Sequence, residues 1–273
     1  MKPVEFWKMN GSGNDFILID NREGAVEDAK MGQYVKRICR RRVSVGADGV
    51  IFVTPSAQYD FGWRFFNADG GEVEMCGNGG RCVSRFAFLK RIAGPKMTFE
   101  TLTGPVSAEV LGSMVKVRMP KPDRLKLNLD LDFLPGWTYC DFVHTGVPHV
   151  VIWVEDLAHH PVVDQGSGIR YHERFSPEGT NANFVIQSGP DRLAVRTYER
   201  GVEDETLACG TGAIAAALVA LKRNRVTAPV TVDTRGGETL TIHVHQAGGE
   251  VKAVWLEGNT AIAYQAVLHE EAL

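Results

Sequence analysis

Two cysteines stand in nearly the same local context, Cys76-Gly77-Asn78-Gly79 and Cys209-Gly210-Thr211-Gly212. Each follows an acidic stretch and opens a run of small residues that reads as a helix start. A cysteine at a helix N-terminus sits beside unpaired backbone N–H groups and the positive end of the helix dipole, and both favour the thiolate. The glycine behind it lets a substrate approach the backbone closely. The same N–H groups form an anion site that suits a carboxylate and would stabilise the charge left when a neighbouring proton departs. A thiolate on one face of a carbon and a thiol on the other can remove a proton and return one. The chemistry implied is inversion of a carbon centre. A lone cysteine of this kind reads better as a small buried residue; two in matched, glycine-flanked contexts do not.

The elements that position these thiols also occur in duplicate. The two turns lie 133 residues apart, and other features recur at that offset. Thr98-Phe99-Glu100-Thr101 matches Thr231-Val232-Asp233-Thr234, Gly104 matches Gly237, and Gly13 matches Gly146. Arg64-Phe65-Phe66-Asn67 matches Arg196-Thr197-Tyr198-Glu199 with one residue inserted afterwards. A period this long makes each half a domain rather than a solenoid repeat. The first half predicts strands near Val4–Met9, Phe16–Asp20, Val50–Thr54 and Gly62–Asn67. A helix follows over Asn78–Lys90, then strands near Met97–Leu102, Val106–Leu111 and Val115–Met119. The second half predicts strands near Thr138–His144, Val150–Val154, Asn183–Gln187 and Leu193–Glu199. Its helix covers Thr211–Arg223, and strands follow near Val230–Thr234, Thr239–Val244, Val251–Leu256 and Ala261–Leu268. Short alternating strands joined by glycine turns argue for antiparallel sheet. The helix around Ala213-Ile214-Ala215-Ala216-Ala217-Leu218 is apolar nearly all round, so it is expected to be buried.

The fold class expected is therefore α+β: two pseudo-symmetric domains from internal duplication, each a curved, mainly antiparallel sheet wrapped around a central helix. The boundary falls at Met119-Pro120-Lys121-Pro122. It gives an N-terminal domain over 1–120, with a C-terminal strand of about 263–273 returning to it, and a second domain over 121–262.

The remaining composition is that of an ordinary globular chain of 273 residues with a formal charge of −3. Arg40-Arg41-Arg42 reads as the solvated end of a helix over Asp28–Arg42 rather than a nucleic-acid patch. The longest apolar run, near Ala213–Leu221, is too short to span a bilayer, and the N-terminus lacks the apolar core of a signal peptide. A cytoplasmic setting is expected, with no membrane or nucleic-acid partner. Five cysteines without a zinc-type Cys-x-x-Cys pair predict neither a disulfide framework nor a metal site. Cys39, Cys82 and Cys140 read as structural, and His243 and His245 as solvated.

Helpers for the thiols are fewer. His149 follows Pro148 in a turn that matches the Asn14-Asp15 turn, and Glu199 and Arg200 end a strand shortly before the second cysteine turn. A histidine and a carboxylate near a thiol can set its protonation state, and Arg200 can hold a carboxylate in bidentate fashion. Read singly, Glu199 and Arg200 fit an ion pair or a surface turn better. Asn14, Asn67, Asn78, Asn181 and Asn183 fall at turns or strand ends, where asparagine is common.

Over nearly its whole length the chain resembles the diaminopimelate epimerase family. The match is carried by Lys8-Met9-Asn10-Gly11-Ser12-Gly13-Asn14-Asp15-Phe16, Phe66-Asn67-Ala68-Asp69-Gly70 and Cys76-Gly77-Asn78-Gly79-Gly80-Arg81-Cys82. In the second half it is carried by Gly146-Val147-Pro148-His149, Thr180-Asn181-Ala182-Asn183-Phe184, Tyr198-Glu199-Arg200-Gly201 and Glu205-Thr206-Leu207-Ala208-Cys209-Gly210-Thr211-Gly212. The resemblance implies a site between the two domains and interconversion of LL- and meso-2,6-diaminopimelate, a precursor of lysine and peptidoglycan, with no cofactor. It implies Cys76 and Cys209 as the acid/base thiols, with His149 and Glu199 assisting. It further implies Asn14, Asn67, Asn181 and Arg200 as substrate-binding positions. Gly77, Asn78, Gly210 and Thr211 would cradle the reacting carboxylate. A homodimer goes with it. Val147 and Gly49 depart from the family's usual Asn and Gln and bear on the distal end of the substrate. A proline racemase or hydroxyproline epimerase shares the fold and the paired thiols, but the extra asparagines and Arg200 argue for a longer substrate. A phenazine-type isomerase lacks the two thiols. A non-catalytic amino-acid-binding protein is the alternative of another class, and it would bind without exchanging an α-proton.

Overall fold

The computed structural model describes residues 4–130 and 140–273. The chain divides into two compact units, Met1–Val117 with Gly258–Leu273, and Arg118–Glu257.

In chain order the first unit contains β1 (Val4–Gly11), β2 (Asn14–Asp20), α1 (Met31–Ile38), β3 (Gly49–Thr54) and β4 (Phe61–Asn67). It continues through β5 (Glu72–Val73), α2 (Gly77–Leu89), β6 (Lys96–Thr101), β7 (Gly104–Leu111) and β8 (Met114–Met119). The second unit contains β9 (Asp123–Leu129), β10 (Cys140–His144), β11 (Pro148–Trp153), α3 (Val162–Arg170), β12 (Asn181–Gly189) and β13 (Arg192–Glu199). It ends with β14 (Asp204–Thr206), α4 (Gly210–Lys222), β15 (Val230–Thr234), β16 (Thr239–Ala247) and β17 (Glu250–Asn259). Finally β18 (Ala261–Leu268) returns to pair antiparallel with β1. The predicted start of β10 at Thr138 lies outside the described residues.

Most pairings are antiparallel, as the alternating strands predict. Four of those described are parallel, and they recur in matched positions: β2 with β3 and β4 with β6 in the first unit, β11 with β12 and β13 with β15 in the second. A parallel pair requires a crossover, usually helical. That requirement accounts for two helices per unit rather than one. α1 and α3 bridge the first pair of each unit, and α2 and α4 bridge the second. Val50 to Val53 of β3 are all fully buried because helices cover both faces of the sheet. On one face, Met31, Tyr34, Val35 and Ile38 of α1 pack against Ile17, Ile19, Val50, Phe52 and Phe66. In the second unit Val162 and Ile169 of α3 pack against Ile152, Phe184 and Tyr198.

The central helix α4 is buried from Gly212 through Ala220, and it touches β10, β11, β12, β13, β15 and β16. Its alanines keep it narrow enough for a sheet to curve around it. α3 was not expected from the sequence: Gly166 and Gly168 depress helix propensity. Gly166 is nonetheless required, since a Cβ there would lie 2.3 Å from the Tyr198 Cβ.

The basic run does not end a helix. α1 stops at Ile38 and Arg42 adopts φ of 69°. Arg41 instead reaches across to Asp15 and Asp48 (2.5 and 2.8 Å). His243 is paired with Glu257 at 2.5 Å rather than solvated. Among the described residues no helix is long and apolar enough to cross a membrane, and no cluster of three or more His, Cys, Asp or Glu side chains gathers to hold a metal.

Candidate active site

Each cysteine turn is presented in the same way. A short strand leads into it, held by a bidentate ion pair from the neighbouring strand. Arg64 on β4 grips Glu72 on β5 (2.7 and 2.7 Å), and Arg196 on β13 grips Glu205 just before the second turn (2.6 and 2.8 Å). Two parallel N–H···O bonds fix direction as well as distance. The chain then turns at a cysteine in extended conformation and enters a helix. Cys76 has φ −141° and ψ 119° and N-caps α2; Cys209 has φ −118° and ψ 111° and N-caps α4. Their carbonyls accept the first helical bonds, from Gly80 (2.7 Å) and Ala213 (2.9 Å). Gly77 and Gly210 occupy the first position of each helix. The amides of such a first turn have no partner within the helix and face an approaching anion.

Around Cys76 the arrangement is a chain of amides. The Cys76 sulfur accepts from the Gly79 N–H at 3.4 Å, a contact that a thiolate accepts better than a thiol. The Asn78 Nδ2 donates to the Asn14 Oδ1 (2.8 Å), and the Asn14 Nδ2 donates to Asp48 (3.0 Å). From the other side the fully buried Arg81 donates to the Asn78 Oδ1 (2.9 Å) and to the Ser12 hydroxyl (2.6 Å). Arg81 thereby locks the helix start to the β1–β2 hairpin. The two-residue loop of that hairpin, Ser12-Gly13, has φ of 53° and 88°, the doubly left-handed turn that matches strand twist. Asp48 passes the chain to Arg41 and Asp15, and Lys8 closes on Asp15 at 2.8 Å. Burial alone would raise the Asp15 carboxyl, but bonds from Arg41 and Lys8 hold it at about 2. Asn67 ends β4 opposite Gly49, with its side chain exposed.

Around Cys209 the arrangement is acidic and drier. Glu199, at the end of β13, accepts from the Thr206 hydroxyl at 2.9 Å and hydrogen-bonds the Cys209 thiol. Burial raises the Glu199 carboxyl; the Thr206 and Cys209 bonds offset part of this. Burial also pushes the Cys209 thiol far up, and the Glu199 charge pushes it further, against smaller help from Thr211 and the Gly212 N–H. Cys209 therefore rests as a thiol, which the helix position alone did not predict. Thr211 lies at 3.4 Å from its sulfur. The structural cysteines behave as expected: burial raises Cys39 and Cys140 to about 12.

A second group in this unit surrounds His149, whose ring is wholly buried on β11. Asn181 donates to the Pro148 carbonyl and accepts from the Arg200 N–H, both at 2.9 Å. Its amide thus sets the histidine turn and Arg200 against each other. Arg200 is anchored on the Glu178 carbonyl (2.9 Å). Thr145 ties the same turn to the helix start by donating to the Thr211 carbonyl (3.2 Å). Asn183 is not at a strand end, as the sequence reading had it. It lies inside β12, fully buried, bonded to His149 (3.1 Å) and to Thr197 (3.0 Å). Asn183, Thr197, Thr206, Ser12 and Arg81 were not assigned from the sequence. The available signal was the offset: Asn183 and Thr197 take the places of Ile51 and Phe65, polar for apolar in strands that otherwise read as core.

The family model described as diaminopimelate epimerase matches residues 6–125 and 142–262. Among curated proteins, the diaminopimelate epimerase of Aquifex aeolicus is 44% identical over 284 residues, covering 99% of each chain. That of Archaeoglobus fulgidus is 43% identical, covering 86% of this chain and 87% of the relative. Among solved structures, a PhzF-family phenazine biosynthesis protein from Bacillus anthracis aligns with a TM-score of 0.74 at 14% identity, over 98% of this chain and 100% of that one. A hydroxyproline epimerase from Agrobacterium vitis aligns at 0.71 and 14%, over 99% and 93%. At such identity the structures speak for the fold alone.

Proposed function

The chain belongs to the diaminopimelate epimerase family, and on that premise we propose that it interconverts LL- and meso-2,6-diaminopimelate without a cofactor, by two-base inversion of one α-carbon. The observation that carries the mechanism is the pair of thiols, each N-capping the central helix of its own unit. In this reading the substrate carboxylate is held by the first-turn amides at Gly77, Asn78, Gly210 and Thr211, which stabilise the charge that develops as the α-proton leaves. Cys76 takes the proton as thiolate. Cys209, kept protonated by burial and by Glu199, gives one to the opposite face. The roles exchange in the reverse direction. His149 and Glu199 assist the thiols, and Asn14, Asn67, Asn181 and Arg200 address the rest of the substrate. A homodimer and a cytoplasmic setting belong to the same reading; sedimentation of the pure protein tests the first.

The deciding experiment offers LL-diaminopimelate and, separately, L-proline in heavy water and follows α-proton exchange by NMR. Exchange and epimerisation of diaminopimelate alone are expected. Cys76→Ala and Cys209→Ala are each expected to lose roughly 10²–10⁴-fold or more, the usual weight of a positioned acid or base. Either variant turning over at the wild-type rate rejects the two-base mechanism. Binding without exchange rejects an enzymatic role on this substrate.

A further inference from the structure

The hydrogen bonds beneath the second cysteine helix determine which nitrogen of His149 carries the proton. Asn183 makes three bonds with its amide. One nitrogen proton goes to the Val150 carbonyl at 2.8 Å. A carbonyl can only accept, so the atom facing it is the nitrogen, and the orientation of the amide is settled. The Thr197 hydroxyl then donates to the oxygen at 3.0 Å. The remaining Asn183 nitrogen proton points at the His149 Nδ1, 3.1 Å away. A donor faces Nδ1, so Nδ1 must be the acceptor, and the proton of the neutral ring belongs on Nε2.

The duplicated fold supplies an internal control. The register that pairs His149 with Asn181 across β11 and β12 pairs Phe16 with Gly49 across β2 and β3. Likewise Asn183 faces Thr197 where Ile51 faces Phe65. The first unit therefore builds the same floor from Phe16, Ile51 and Phe65, with the two phenyl rings edge to face at 5.8 Å. The fold does not need polar groups here, and burying them costs unless every one is bonded. In the second unit every polar atom of the three side chains is engaged except the His149 Nε2, buried and without a hydrogen-bond partner among the described residues.

We infer that Asn183, braced by Thr197, is a positioning residue that holds His149 as its Nε2–H tautomer, so that the ring offers a hydrogen-bond donor to the reaction and never a base. This deepens the proposed function and rests on it: a fixed donor can hold a thiolate or a carboxylate without competing for the α-proton. Burial works to the same end: it outweighs the Asn183 contact, which taken alone raises the ring, and brings it down to about 3, while the ionisable neighbours acting on it, His144 on β10 and Arg200 beyond β13, also oppose a second positive charge.

The test reads the ring directly. Long-range ¹H–¹⁵N correlation spectra of the ¹⁵N-histidine-labelled protein are recorded from pH 5.5 to 9, without substrate. His149 is expected to show the Nε2–H pattern throughout, unchanged with pH. An Nδ1–H pattern, or a ring that titrates in this window, overturns the assignment whether or not the protein epimerises diaminopimelate. The variant Asn183→Asp places an acceptor opposite Nδ1, which draws the proton there and raises the ring's affinity for a second one. Nε2–H then exists only in the imidazolium. Its kcat is expected to fall roughly 10²–10⁴-fold on the alkaline side and to recover toward acid, with KM changed little. Thr197→Val keeps the Val150 anchor and should keep the tautomer. A uniform loss in Asn183→Asp at every pH would mean a merely structural role. If that variant does not fold, the wild-type spectra decide alone.

Discussion

The two units place a cysteine at the same helix start, yet stand it on different floors. Beneath Cys76 the sheet presents Phe16, Ile51 and Phe65; beneath Cys209 it presents His149, Asn183 and Thr197. Beside the first turn stands Asn67, and in the matching place beside the second stands Glu199. The shared part — an acidic strand end pinned by arginine, then a cysteine cap — is what a thiol needs to meet a carboxylate. The unshared part governs protons. An apolar floor carries none. In the second unit burial first, and then the Glu199 charge, keeps Cys209 protonated, and burial keeps His149 neutral. Duplication thus provides two similar cysteine caps, and divergence beneath one of them gives the two thiols different surroundings.

The largest test of this contrast removes the second unit's carboxyl. Glu199→Gln makes that corner resemble Asn67, and kcat is expected to drop roughly 10²-fold or more. With the anionic neighbour gone, Cys209 ionises more readily, so its alkylation should begin at lower pH than in the wild type. Unchanged alkylation would remove Glu199 from the proton inventory. Next comes the glycine inside each helix start. A Cβ at Gly212 would lie 2.3 Å from the Asn183 oxygen, an atom held in a buried network, whereas at Gly79 it would meet the Ile51 Cδ1 at 3.1 Å, the far end of an apolar side chain held by no hydrogen bond. Gly212→Ala is therefore expected to destabilise by about 1–3 kcal/mol and Gly79→Ala by less, measured by urea unfolding. Equal losses would show that the two floors are equally rigid.

Acid should separate the units as well. The His149 ring is held at about 3 when folded and reverts to about 6.5 when unfolded. The unfolded chain thus binds the extra proton first. The stabilisation is full above pH 6.5 and is lost as pH falls toward 3, by roughly 1.4 kcal/mol per unit. His149→Phe, the first unit's residue, should flatten that slope, and under the proposed function it should also lose turnover; an unchanged slope would mean that the ring is charged in the fold. The smallest effect is expected at Arg41→Ala. Its pairs with Asp15 and Asp48 are at the surface, where such bridges contribute about 0–1 kcal/mol, and thermal melting in low and high salt measures it.

The alternation of strands, the buried alanine helix and both cysteine caps were legible because they depend on local periodicity and on side chains acting at their own position. The common offset further identified the halves as copies. α3 was not legible: Gly166 and Gly168 speak against a helix, and only the parallel crossover from β11 to β12 and the contact with Tyr198 call for one. The helix ending at Ile38 rather than Arg42 was likewise a tertiary matter, since Arg41 leaves to bind Asp15 on β2 and Asp48 just before β3.

By itself, then, the sequence named the candidates: two thiols with their glycines in two equivalent settings, and a histidine and a carboxyl in the second half alone. Their protonation was left to the tertiary structure. Whether Cys209 keeps its proton depends on how completely the chain excludes water from it and on Glu199 arriving from another strand. Which nitrogen of His149 is protonated depends on a single amide in β12, oriented by the Val150 carbonyl. Burial and hydrogen-bond direction arise only where distant segments meet, and proton affinity follows from both.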